Sequence, residues 1–176
     1  MTVQPMRLIA DENASRPTFD SARLAAANIN PKTKLATDYL NHFNEAIMLL
    51  DLLPHTPECI VELVSWEPMS YEEHFAGSHF RDKELAIAAY EVADPVARAR
   101  LDELADTMNA LLVATCEAFQ RRTSLEAATS LATDTAARLK PMVARAGAVI
   151  NGYGIETSDD MTTGEQQAAI DALLET

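Results

Sequence analysis

An all-α fold follows from three features of the chain. Alanine is abundant while glycine occurs only 5 times in 176 residues. Ala loses no side-chain entropy in a helix and Gly is its costly interior residue, so this composition favours helix over sheet. Apolar residues recur at alternating spacings of three and four through long stretches, the period of one helix face. Most prolines stand where helices begin or end. The expected architecture is an antiparallel helical bundle built on a long helical hairpin, with several short helices and a flexible acidic C-terminal tail. Residues 1–17 read as a flexible arm, 18–154 as the bundle domain, and 155–176 as an acidic linker with a short helix.

Taken in order, a short helix is expected from Thr18 to Asn28, ended by Asn30-Pro31, because the residue before proline is pushed out of the helical region. The first strong helix spans Leu35 to Leu53. Ala36, Leu40, Phe43, Ile47 and Leu50 form its seam, with Leu35, Tyr39, His42, Ala46, Leu49 and Leu53 beside them. Two adjacent apolar rows imply burial on more than one side. Thr56 and Pro57 suit the start of a short helix reaching Trp66, closed by Glu67-Pro68. Ser70 and Glu73 make a capping box that opens a helix at Tyr71. Gly77-Ser78 interrupts it, and it resumes over about His79 to Val92.

Asp94-Pro95 is the clearest helix start, an acidic cap followed by proline at the first position. From there Ala97, Leu101, Leu104, Met108, Leu111, Thr115 and Ala118 hold the helical rhythm to about Arg122. Thr123 and Glu126 suggest a second capping box. The next helix carries Leu125, Ala128, Ala132, Thr135, Leu139, Met142, Ala146 and Val149, and stops at Asn151-Gly152. Pro141 should kink or break it near Arg138. With almost no connector, these two helices should form a hairpin. The second stripe is mostly Ala and Thr, which buries little area. Packing by the first half of the chain and by a second copy, giving a homodimer, is therefore expected. A last short helix, Thr163 to Leu174, is marginal alone and should dock in cis or on a partner.

Charge and motifs exclude several functions. The net charge is -13, and residues 155–176 contain six acids and no base. Such a chain offers no basic face for nucleic acid or for an anionic membrane. No apolar run approaches the ~18 residues of a membrane span, and no secretory signal opens the chain. Cys59 and Cys116 are unpaired in spacing, the pattern of two reduced thiols in a cytoplasmic protein. No P-loop, dinucleotide fingerprint, nucleophile elbow or zincin motif occurs.

What chemistry there is concentrates between Leu35 and Phe80, which holds all four histidines, the only Trp and no Lys or Arg. His42 and Glu45 are three apart on one helix, His79 and Asp82 repeat the spacing, and His74 lies between. Helical bundles hold divalent metals with such donors projecting from facing helices. Yet Glu-x-x-His, the usual di-iron spacing, is absent. The plainer reading of these acids is helix capping and solvated faces, with no cofactor. His79 with Lys83 one turn on resembles a phosphotransfer histidine in part. Trp66, Tyr71, Phe75 and Phe80 suit either a docking pocket or a plug of packed rings at one end. The leading expectation is a non-enzymatic cytoplasmic interaction or regulatory module, homodimeric, with a protein partner. A metal-binding bundle using His42, Glu45, His74, His79 and Asp82 is the alternative, and a histidine phosphotransfer module is the second.

Overall fold

A computed structural model describes residues 19–121 and 124–153. The expected arm at 1–17, Thr123 of the second capping box, and the linker and helix of 155–176 lie outside these residues. Of the described residues, 74% are helical and none is in a strand. Seven α-helices occur among them: α1 Ser21–Ala26, α2 Asn41–Leu52, α3 Ile60–Val64, α4 Tyr71–Gly77, α5 Lys83–Glu91, α6 Pro95–Gln120 and α7 Leu125–Ile150.

Several helix starts are where the capping chemistry puts them. Asp94 Oδ1 accepts from the Ala97 N–H at 2.8 Å, with Pro95 in the first turn of α6. Ser70 and Glu73 close both halves of the capping box on α4, at 3.2 and 2.8 Å. This holds the Glu73 carboxyl below its ordinary range. Other boundaries differ from expectation for local reasons. The helix expected from Leu35 begins as a 3-10 turn over Thr37–Leu40 and becomes α-helical only at Asn41, because Ala36 is extended and offers no side-chain cap. Pro57–Cys59 likewise form a 3-10 turn before α3. Helix α5 starts at Lys83 rather than His79. Ser78 turns extended, donates to the Phe75 carbonyl at 2.9 Å and accepts from the Phe80 N–H, which ends α4 firmly. The cap of α7 is Ser124, accepting from Ala127. Helix α7 runs through Pro141 without a break. Pro141 and Ala137 are both exposed, so the carbonyl deprived of its donor faces water.

Helices α6 and α7 lie along each other. Near their connector Thr115 Oγ1 meets Thr135 Oγ1 at 3.1 Å, and at the other end Arg100 to Thr107 face Met142 to Tyr153. Helix α2 also packs on α7, with Lys140 Nζ 2.9 Å from Asp51 Oδ2. Helix α3 packs on α6, where Cys116 Sγ donates to the Leu63 carbonyl at 3.0 Å. Both rows of α2 are used: Phe43 and Leu50 of one, and Ala46 and Leu53 of the other, are fully buried. The alanine seam of α7, Ala128, Ala132, Ala136 and Ala146, is covered within the same chain.

A loop at residues 28–36 ties these parts together. Asn30 Oδ1 accepts from the Lys32 and Thr33 N–H groups, an Asx turn flanked by positive φ at Asn28 and Lys34. Thr33 then donates to the Ile150 carbonyl at 2.6 Å, and its own carbonyl accepts from the Asp94 N–H. The end of α7 and the start of α6 are thus held by one turn.

Candidate functional site

Two places in the fold could act on something outside the chain: the histidine and aromatic cluster, and a groove along α6 and α7. His42 is the second residue of α2 and 6% exposed. Its ring stacks on Trp66, which follows α3, with centroids 4.7 Å apart and planes 22° apart. His74 of α4 lies 6.2 Å from it, centroid to centroid, and meets Tyr39 edge-on at 5.7 Å. From Tyr39 the rings continue through Tyr71 at 5.3 Å to Tyr90, stacked at 4.4 Å, where the Arg98 guanidinium sits 4.2 Å over the Tyr90 centroid. Phe75 and Phe80 branch from Tyr71. Tyr71 and Phe75 are buried, and Trp66 and Phe80 are half-buried.

The cluster's protonation follows its burial. Desolvation lowers the His42 pKa to about 4, His74 adds to this, and the Glu67 backbone opposes it. Burial also lowers His74, against the opposing pull of the Asp38 backbone and of the Glu45 and Asp38 carboxylates. Burial raises Tyr39 and Tyr71 well above the phenol range; Tyr39 donates to the Met69 carbonyl, which suits its protonated form, while the Ala36 N–H that Tyr71 accepts opposes the rise. Tyr90 is pushed up to about 12 by burial and by its 2.6 Å hydrogen bond to Asp102. Both thiols are raised by burial. At neutral pH these imidazoles are neutral, and the phenols and thiols keep their protons.

Of the expected metal donors, the structure brings His42 and His74 together, with Glu45 exposed on the same helix as His42. His79 is exposed before α5, and Asp82 stands at the N-cap position of that helix without a side-chain capping bond, 3.4 Å from Arg81 Nε. Among the described residues no three His, Cys, Asp or Glu side chains are grouped to hold a metal ion. Lys83, expected one helical turn after His79, instead donates to the Ala76 and Ser78 carbonyls at the C-terminal end of α4. Two cluster atoms are conspicuous: His42 Nε2 and Trp66 Nε1, on the two stacked rings, are buried and have no hydrogen-bond partner.

The second place was not singled out by the sequence pattern. A groove of about 730 Å³ runs between the first half of α6 and the last part of α7. Leu104, Met142 and Val149 line it as apolar surface, Arg100 and Arg145 bring a cation from each helix, and Glu103 of α6 adds one acid. Leu104 and Met142 belong to the stripes that spacing assigns to the helix seam, yet both are only half-buried. On α6, Ala105 and Leu112 are buried in the core instead. The signal was present in the arginines, basic residues set on both helices close to the apolar stripe. Tyr153, 72% exposed, forms the end of the groove.

No protein-family model matches the chain, and no curated protein or solved structure matches it. Among the described residues, no helix is long and apolar enough to cross a membrane.

Proposed function

We propose that this chain is a cytoplasmic, non-catalytic interaction module. In this reading α6 and α7 form the antiparallel hairpin of a helical bundle and take up an amphipathic, acid-bearing helical segment of a protein partner. The observation behind it is the groove, where Leu104 and Met142 of the expected seam line open space between Arg100 and Arg145. An apolar strip with cations on both sides favours a helix having Leu or Ile on one face and carboxylates at its margins. Titrating the isotopically labelled full chain with a designed acidic amphipathic peptide should shift the amide signals of Arg100–Thr107 and Met142–Val149. A basic peptide of equal hydrophobicity should not. Equal shifts from both would remove the reading, and so would no shift in a chain whose acids in residues 155–176 are replaced by Asn and Gln.

Self-association enters the proposal on a narrower basis than an uncovered alanine seam. That seam is filled by α2 and α6, so a second copy would meet exposed side chains such as Met48, Leu52 and Val61. Sedimentation showing a strict monomer at micromolar concentration would delete this part.

One observation favours a second reading, a metal site. The buried His42 Nε2 lacks a partner and lies on a ring 6.2 Å from that of His74. The pair offers two nitrogens, and a stable site needs further donors. Elemental analysis of protein purified without chelator decides it: stoichiometric zinc, manganese or iron supports the site, and trace amounts with an unmoved melting temperature reject it.

A further inference from the structure

Residues 155–176 hold six carboxylates (Glu156, Asp159, Asp160, Glu165, Asp171, Glu175) and no base. Ile170, Leu173 and Leu174 within them fall at the i, i+3, i+4 spacing of one helix face. The last described residue before this stretch, Tyr153, is itself part of the groove between α6 and α7. The stretch therefore leaves the fold at the very place that offers Arg100, Arg145, Leu104 and Met142.

We propose that residues 155–176 of this same chain occupy the α6/α7 groove in cis, with Ile170, Leu173 and Leu174 on Leu104 and Met142 and the flanking acids toward Arg100 and Arg145. This rests on the preceding reading of the groove as a helix-binding surface and names its resident occupant, which an outside partner must displace. Three observations converge on it. The charge is complementary, since the groove sets Arg100 and Arg145 against a single acid, Glu103, and every charged side chain of the segment is acidic. The amphipathic spacing matches a strip of half-buried apolar side chains. The reach is ample: residues 154–167 can span up to ~45 Å when extended, while Arg100 to Thr107 cover only ~10 Å of helix. Tethering also gives a short segment an effective concentration in the millimolar range, so weak contacts suffice to fill the groove.

The test uses the full chain with Gln167→Cys bearing a nitroxide. Cys59 and Cys116 are buried and their thiols are raised by burial, which leaves the introduced cysteine as the reactive one. The amide signals of Arg100, Glu103, Leu104 and Thr107 should broaden severely, to the same extent at every protein concentration. Arg145→Glu, at an exposed position, should restore them. Unbroadened signals would overturn the proposal. Broadening that fades on dilution would also overturn it, because the segment would then be docking on a second copy. Broadening that survives Arg145→Glu would overturn the charge-matched placement. If α6 stays unbroadened while the separate acidic peptide still shifts the groove signals, this inference fails and the proposed function stands. If that peptide shifts nothing even when residues 155–176 carry Asn and Gln in place of their acids, both fail.

Discussion

The surroundings of His42 make the stability of the fold depend on pH. His42 is buried against Trp66, and its folded-state pKa is about 4 against an ordinary value of 6.5. Between those values the unfolded chain takes up a proton that the folded chain refuses. The stability associated with neutral His42 is therefore complete above about pH 6.5 and is lost progressively as pH falls toward 4, with a ceiling of about 3 kcal/mol. His74, lowered by burial, pushes in the same direction. Urea midpoints compared at about pH 7 and about pH 5 should separate more in the wild type than in His42→Phe. Equal separation in the two proteins would show that this imidazole is solvated. A second residue-scale expectation concerns the two buried threonines between α6 and α7. Thr115 Oγ1 donates to the Leu111 carbonyl at 2.8 Å, so Thr135 is the donor in the pair they share. Thr115→Val then leaves the Thr135 hydroxyl without that acceptor, whereas Thr135→Val leaves Thr115 bonded. The first should cost about 1 kcal/mol more than the second. Matching losses in denaturant unfolding would refute the assigned donor.

Among the elements, α4, α6 and α7 were readable because their limits are written in local chemistry. Ser70 with Glu73, and Asp94 with Pro95, satisfy N–H groups that no turn of helix can satisfy. Asn151-Gly152 ends α7 because Gly152 adopts φ 81°. The starts of α2 and α5 were misread by several residues, since apolar spacing continues through Thr37–Leu40 and through Phe80, where the backbone is not α-helical. Spacing records which side chains will be buried, and a 3-10 turn buries nearly the same ones. Pro141 belongs to this scale too. It removes one intrahelical donor from α7 at an exposed site. Pro141→Ala should restore that bond and raise stability by about 1–3 kcal/mol, read as a higher urea midpoint. A neutral or lower midpoint would mean that the helix bends at Pro141 to fit α2.

At the scale of the whole molecule, the loop at 28–36 does what no helix pattern announces. Thr33 joins the Ile150 carbonyl at the end of α7 to the Asp94 N–H at the start of α6, and is 1% exposed. Thr33→Val keeps the shape and strands the Ile150 carbonyl, which should cost about 1–3 kcal/mol and speed amide exchange at Asn151 and Tyr153. Unchanged exchange would mean that the end of α7 is held by its own Asn151 cap. The groove is likewise a property of the assembled helices. Because Ala105 and Leu112 turn inward on α6, Leu104 stays half out.

The sequence by itself determined the helical class and the caps of α4 and α6, because composition, capping hydrogen bonds and apolar period act within a few residues of each other. It did not determine the cap of α7, where Ser124 replaces Thr123, nor the one expected at Thr56, which makes no side-chain cap bond. It also marked the buried set on α2, half of that on α6, and the aromatic run from Trp66 to Phe80. The tertiary structure alone decided which histidines meet, that the alanine seam is filled from within, and where the seam residues fall short of cover. Those outcomes depend on the rotation and offset of whole helices against one another. These are set by the sum of many side-chain volumes rather than by any spacing along the chain.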